Sequence, residues 1–152
     1  MTQILPVRVN KNDFIHIILT EGQLEKVNEK TNQTMMSDHN MHLIDVYSSK
    51  MSEVSVSDYF GIELADTYDY DMILQNGKTV DIKSKKVVTN NPYPDHYNEV
   101  YRDNQKTDYY LFCQVAPERK SVWILGYISK SEFFDLATFK LSFQYAVPLL
   151  KT

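Results

Sequence analysis

Apolar residues recur along this chain with two different periods. Residues 4–19 concentrate β-branched and aromatic side chains (Ile4, Val7, Val9, Phe14, Ile15, Ile17, Ile18) and read as one or two strands. Residues 21–33 are polar with Leu24 and Val27 at helical spacing, which predicts a surface helix. A helical pattern then starts at Asp38 or Asn40, either able to cap it, and runs through Leu43, Tyr47 and Met51 to Phe60, where Gly61 stops it. Its apolar face shifts near Ser48-Ser49, so the segment is one helix or two. A β-hairpin over 70–83 follows, then a polar, tyrosine-rich connection over 88–107 with Pro92 and Pro94. Residues 109–115 and 122–128 are apolar on both faces, as central strands are, and Pro117-Glu118-Arg119-Lys120 turns between them. Ser129-Lys130-Ser131-Glu132 is a capping box for a short helix carrying Phe133, Phe134, Leu136 and Ala137. This order predicts an α+β or mixed α/β domain, a single mixed sheet flanked by helices.

The hairpin poses a problem of register. A two-residue turn at Asn76-Gly77 would mix charged and apolar side chains on both faces. A three-residue loop, Gln75-Asn76-Gly77 with Gly77 left-handed, instead opposes Met72 to Val80 and Asp71 to Asp81. Tyr70, Met72, Leu74, Val80 and Ile82 then share one face, and Asp71, Asp81 and Lys83 the other. Burial selects this second register. It sets two carboxylates across from each other, an unfavourable pairing that Lys83 or, better, a divalent metal would relieve. Glu53, at helical spacing with Val56 and Phe60, lies at the edge of the helix face that should meet the sheet.

Charge sharpens this picture. The net charge of −4 argues against non-specific coating of nucleic acid, but between Lys50 and Lys78 stand six acidic residues and no basic one. Lys78, Lys83, Lys85 and Lys86 follow at once, so a cation site can adjoin an anion site; two solvated faces would read the same way. At 152 residues the chain is long enough for one domain with a proper core. The one cysteine, Cys113, lies in an apolar run, which predicts a buried thiol and suits a reducing compartment. No run of 18 apolar residues exists and the first residues lack the build of a secretory signal, so a cytoplasmic location is expected.

Other signals are thinner. His39-x-x-His42 beside Asp38 has zinc-ligand spacing without further ligands nearby. Tyr93, Tyr97 and Tyr101, with Arg102 and Lys106, suit stacking on bases or contact with phosphates, and equally suit the packing of a long loop. Gln105 is a candidate auxiliary residue. Neither a nucleophile elbow nor a phosphate-cradling glycine loop is present.

A helix Glu (Glu53 in SEVSVSDYFGI), then Asp71 in YDYD, then Asp81-Ile82-Lys83 as D-x-K, resembles the PD-(D/E)xK nuclease superfamily. Tyr70 stands where many members have proline, nine residues separate the two aspartates, and DYYLFCQV…SVWILGYISKSEFF is similar to the strand-strand-helix continuation. Asp69 rivals Asp71 as first carboxylate but lies one pair further from the turn. The resemblance covers about residues 50–137, leaving 1–35 as an extension without assigned role. It implies a restriction-endonuclease-like core and a DNA endonuclease using Mg²⁺, with Mn²⁺ able to substitute. Asp71, Asp81, Glu53 and the Ile82 carbonyl would hold the metal, and Lys83 would face the attacking water. Lys85, Lys86, Tyr97, Arg102 and Gln105 would contact substrate, and small members often pair as homodimers. The alternative is a nucleic-acid-binding or scaffold protein that keeps the fold without cleaving.

Overall fold

The computed structural model describes residues 14–37, 41–65, 67–88, 97–101, 104–140 and 144–148. Strand β1 (Ile15–Ile18) is followed by helices α1 (Glu21–Ser37) and α2 (Leu43–Phe60). The hairpin is β2 (Met72–Ile73) and β3 (Thr79–Lys86); β4 (Tyr97–Val100), β5 (Tyr109–Ala116) and β6 (Ser121–Ser129) come next. Helix α3 (Lys130–Leu136) and strands β7 (Thr138–Lys140) and β8 (Gln144–Pro148) complete the order.

Five strands form a mixed sheet in the order β1-β6-β5-β3-β2. Within it β3 and β5 run parallel and the other pairs antiparallel. The expectation of a single sheet is corrected: β4, β8 and β7 form a second, three-stranded antiparallel sheet. Its strands are short, and pairing β4 with β8 joins residues more than forty positions apart, which no local period announces. The fold is therefore mixed α/β, with three α-helices among the described residues.

Strands β5 and β6 are buried on both faces, as their unbroken apolar runs require. One face of the sheet meets α1 and α2 through Val27, Met51, Val54, Val56, Met72, Val80, Ile82 and Leu111. The other carries Tyr110, Phe112, Trp123, Leu125 and Ile128, with Phe133 of α3 packed over it. Helix α2 is continuous and buried from Met51 to Val56. Ser52 and Ser55 keep that stretch slim, and the Ser52 hydroxyl bonds back to the Ser49 carbonyl. It ends at Gly61 (φ 67°), whose N–H returns to the Ser57 carbonyl. His42 takes the N-cap position, and the expected caps Asp38 and Asn40 lie outside the described residues, as does His39. The Ser129 hydroxyl accepts from the Glu132 N–H at 3.2 Å, so the capping box opens α3 as expected.

The turn takes the three-residue form: Met72 opposes Val80, and Gly77 sits at φ 85°. Its N–H bonds the Leu74 carbonyl (2.9 Å), while the Leu74 N–H bonds that of Lys78 (2.7 Å). Met72, Leu74, Val80 and Ile82 are buried together against α2, as the chosen register demands. Strand β2 is only two residues long, so Asp71 stands just before it rather than on a regular strand.

Candidate active site

Helix α2 delivers Glu53 to the edge of the sheet, only 5% exposed. Its carboxylate accepts from Ser49 Oγ at 2.8 Å, one turn back, and pairs with Lys50 Nζ at 3.3 Å. These neighbours sit at i−4 and i−3, spacing that would have identified them in advance. Asp71 Oδ2 accepts the Ile82 N–H at 2.7 Å, which ties its side chain across to β3. Asp81, also 5% exposed, precedes Ile82 on that strand.

Electrostatics binds these acids into one group. The Asp71 carboxyl is pushed up to about 9, first by burial, then by the charges of Glu53 and Asp81. A hydrogen bond shared with the Asp81 carboxyl raises it further, and only the Ile82 N–H acts in the opposite sense. Asp81 Oδ2 lies 2.8 Å from Lys83 Nζ, a close ion pair whose angle is poor for a hydrogen bond. The ammonium instead donates to Gln105 Oε1 at 2.8 Å and stands 5.8 Å from the centre of the Tyr110 ring. Gln105 is thereby a crossbar: its Nε2 bonds the Tyr68 carbonyl at 2.7 Å and approaches Asp81 Oδ1 at 3.5 Å. Its own carbonyl receives Lys130 Nζ from α3, a partner no sequence period could indicate.

The remaining predicted residues distribute differently. Asp69 Oδ1 accepts the Lys106 N–H at 2.9 Å and so fastens a loop, apart from the acidic group. Lys85 pairs with Glu99 (3.6 Å) and Lys86 with Asp45 (2.8 Å), both nearer the solvent. Tyr101 is exposed, its hydroxyl on Glu99 at 3.1 Å. Tyr97 begins β4, and Arg102 and Tyr93 lie outside the described residues. Cys113 is buried, which pushes its thiol up and leaves it inert.

Two clefts adjoin the group. Glu53 and Asp71 open onto one of about 610 Å³, together with Lys30, Lys50 and Tyr68. Lys83, Lys85, Lys86, Asn98, Glu99 and Tyr101 line another of about 560 Å³. Among the described residues no three His, Cys, Asp or Glu side chains already stand as a metal-holding set. The donors nevertheless suit a hard cation: all are oxygen, and Asp71 ionises only against its neighbours' charge, which a cation would relieve. Among the described residues no helix is long and apolar enough to cross a membrane. A scan against protein-family models and a search of curated proteins returned no match to the chain.

Proposed function

We propose that this protein is a Mg²⁺-dependent DNA nuclease of the PD-(D/E)xK type, with a restriction-endonuclease-like core. One observation carries the reading: Glu53, Asp71, Asp81 and Lys83 gather at one sheet edge, with Asp71 held protonated by burial and by the charges of Glu53 and Asp81. Asp71, Asp81, Glu53 and the Ile82 carbonyl would hold the cation. When bound, such a cation neutralises charge on the scissile phosphate and acidifies a water. Its arrival would let Asp71 give up its proton. Lys83, fixed by Gln105 and Asp81, presents its ammonium to the attacking water and to the charge that builds on phosphorus. Hydrolysis joins the water oxygen to phosphorus, breaks one P–O ester bond, and leaves a proton on the departing oxygen.

The test is a panel of plasmid, linear, branched and single-stranded DNA incubated with Mg²⁺ or Mn²⁺. Wild type should cleave, and Asp81→Asn should lose about 10²-fold or more, the scale of one positioned electrostatic group. Metal at a hundredfold excess over its Kd should also stabilise wild type by about 2.7 kcal/mol, and the variant far less. A stability gain without cleavage of any substrate would favour the scaffold alternative, and neither effect would end the metal-site reading.

A further inference from the structure

The cleft beside Glu53 and Asp71 has a wall built by α1, outside the segment that carries the nuclease resemblance. Lys30, Gln33, Thr34 and Ser37 face it at i, i+3, i+4 and i+7, one stripe of the helix. The neighbouring stripe, Leu24, Val27 and Thr31, turns toward the core instead. The cleft stripe contains no apolar residue, and Lys50 of α2 adds a second ammonium beside Glu53. An anionic chain approaching two carboxylates meets repulsion; Lys50, 3.3 Å from Glu53, offsets that carboxylate, and Lys30 adds a second positive charge to the same cleft. At the rim stands Tyr68, 53% exposed, its hydroxyl held by Asn104 at 3.0 Å and its carbonyl by Gln105. Cationic groups along a trough with an aromatic ring at its mouth are how proteins take unpaired strands: ammonium to phosphate, ring to base. A ring can stack on a base only where that base is unpaired, which favours a single strand over a duplex.

We propose that this cleft seats an unpaired stretch of the substrate strand, with phosphate on Lys30 and Lys50 and a base against Tyr68. The substrate class is then single-stranded or frayed DNA. The proposal rests on the nuclease reading for its chemistry, but its binding step can be measured alone.

The experiment follows fluorescence anisotropy of a labelled oligothymidylate and of a duplex of equal length, in EDTA and in Ca²⁺, across a salt series. Wild type should prefer the single strand by about tenfold or more, and Tyr68→Ala should weaken that binding by about tenfold, as loss of one stacked base does. Lys30→Gln should weaken it about fivefold and flatten the salt slope by about 0.7, as expected when one ammonium no longer neutralises a phosphate. Lys30→Arg should restore both. Lys26→Gln makes the same change of net charge on the same helix, where Lys26 faces Asp58, and should bind as wild type. Unchanged binding in Lys30→Gln and Tyr68→Ala, equal loss in Lys26→Gln, or tighter binding of duplex would each overturn the proposal. Cleavage by Asp81→Asn at the wild-type rate would instead sink the nuclease reading, and the cleft would stand as a binding site if Lys30→Gln still lost affinity.

Discussion

Strand β3 carries charge at both its ends, and the two ends resolve it in opposite ways. Toward its start, Asp81 and Lys83 are drawn inward beside Glu53 and Asp71, with side chains 7% and 25% exposed for the first pair. Toward its end, Lys85 and Lys86 are 39% and 43% exposed, and each reaches a carboxylate of another element. Exposed ion pairs contribute about 0–1 kcal/mol, so Lys85 and Lys86 are satisfied loosely and can exchange partners. The inner group has less freedom: Glu53 and Asp81 are each 5% exposed and lean on Lys50 and Lys83 more than on water. Alternating the same residue types along one strand thus yields a solvated surface at one end and a partly buried, crowded set of charges at the other. The difference lies in burial, which is deep at the first part of the strand and shallow at its end.

That contrast is most severely tested by comparing two lysines on one face. Lys83→Ala should lower the single-turnover cleavage rate by about 10²-fold or more, as loss of a group acting in the transition state does, while DNA binding in Ca²⁺ survives. Lys85→Ala should leave that rate near wild type and alter only affinity and its salt dependence. Equal, small effects from both would show that the two ends of the strand are functionally alike.

The register that separates the two ends depends on the turn. At Gly77 a new Cβ would touch nothing within 4 Å, so Gly77→Val reports backbone strain alone. It should destabilise by about 1–2 kcal/mol, measured by urea unfolding, and Gly77→Asn should cost less. If valine is tolerated without loss, the left-handed turn is not what holds Asp71 beside Asp81.

The smallest effect is a pH dependence confined to the buried end. Asp71, raised from 3.8 to about 9, keeps a proton in the folded chain that the unfolded chain releases. Between those values the folded state binds more protons, so the stability this group contributes falls as pH rises, and it is fully restored only below about 4. Asp71→Asn retains an acceptor for the Ile82 N–H and removes the charge. In EDTA near neutral pH it should stabilise by about 1 kcal/mol, or about 2–4 °C in Tm, with the gain growing toward pH 9 and vanishing near pH 4. Parallel melting curves for wild type and variant across that range would remove the repulsion attributed to the acids.

What could be read from the chain was what repeats at short range. Gly61 ended α2, the alternation of Met72, Leu74, Val80 and Ile82 chose the hairpin register, and Ser129 with Glu132 marked α3. Placing Asp71 beside Asp81 followed from that register, and Glu53 from its helical phase. The second sheet escaped because β4, β7 and β8 have three to five residues each and find partners by long-range pairing or in a short terminal hairpin. The ion partners of Lys85 and Lys86 come from β4 and α2, and Lys83 meets Gln105 from an irregular segment with no period to read.

That last contact has a consequence for how the protein comes into being. Gln105 joins β3 to the 67–71 loop and to α3 across 22 to 37 positions of sequence. It lies just before β5, which runs parallel to β3, so its contacts belong to a long-range crossover, a slow class of event because loop entropy is lost before contacts form. The three carboxylates, by contrast, come together from a helix and the hairpin that follows it. The acidic cluster thus rests on contacts of short sequence range and the Gln105 brace on Lys83 on longer ones, so contact order divides the site into a local half and a non-local half.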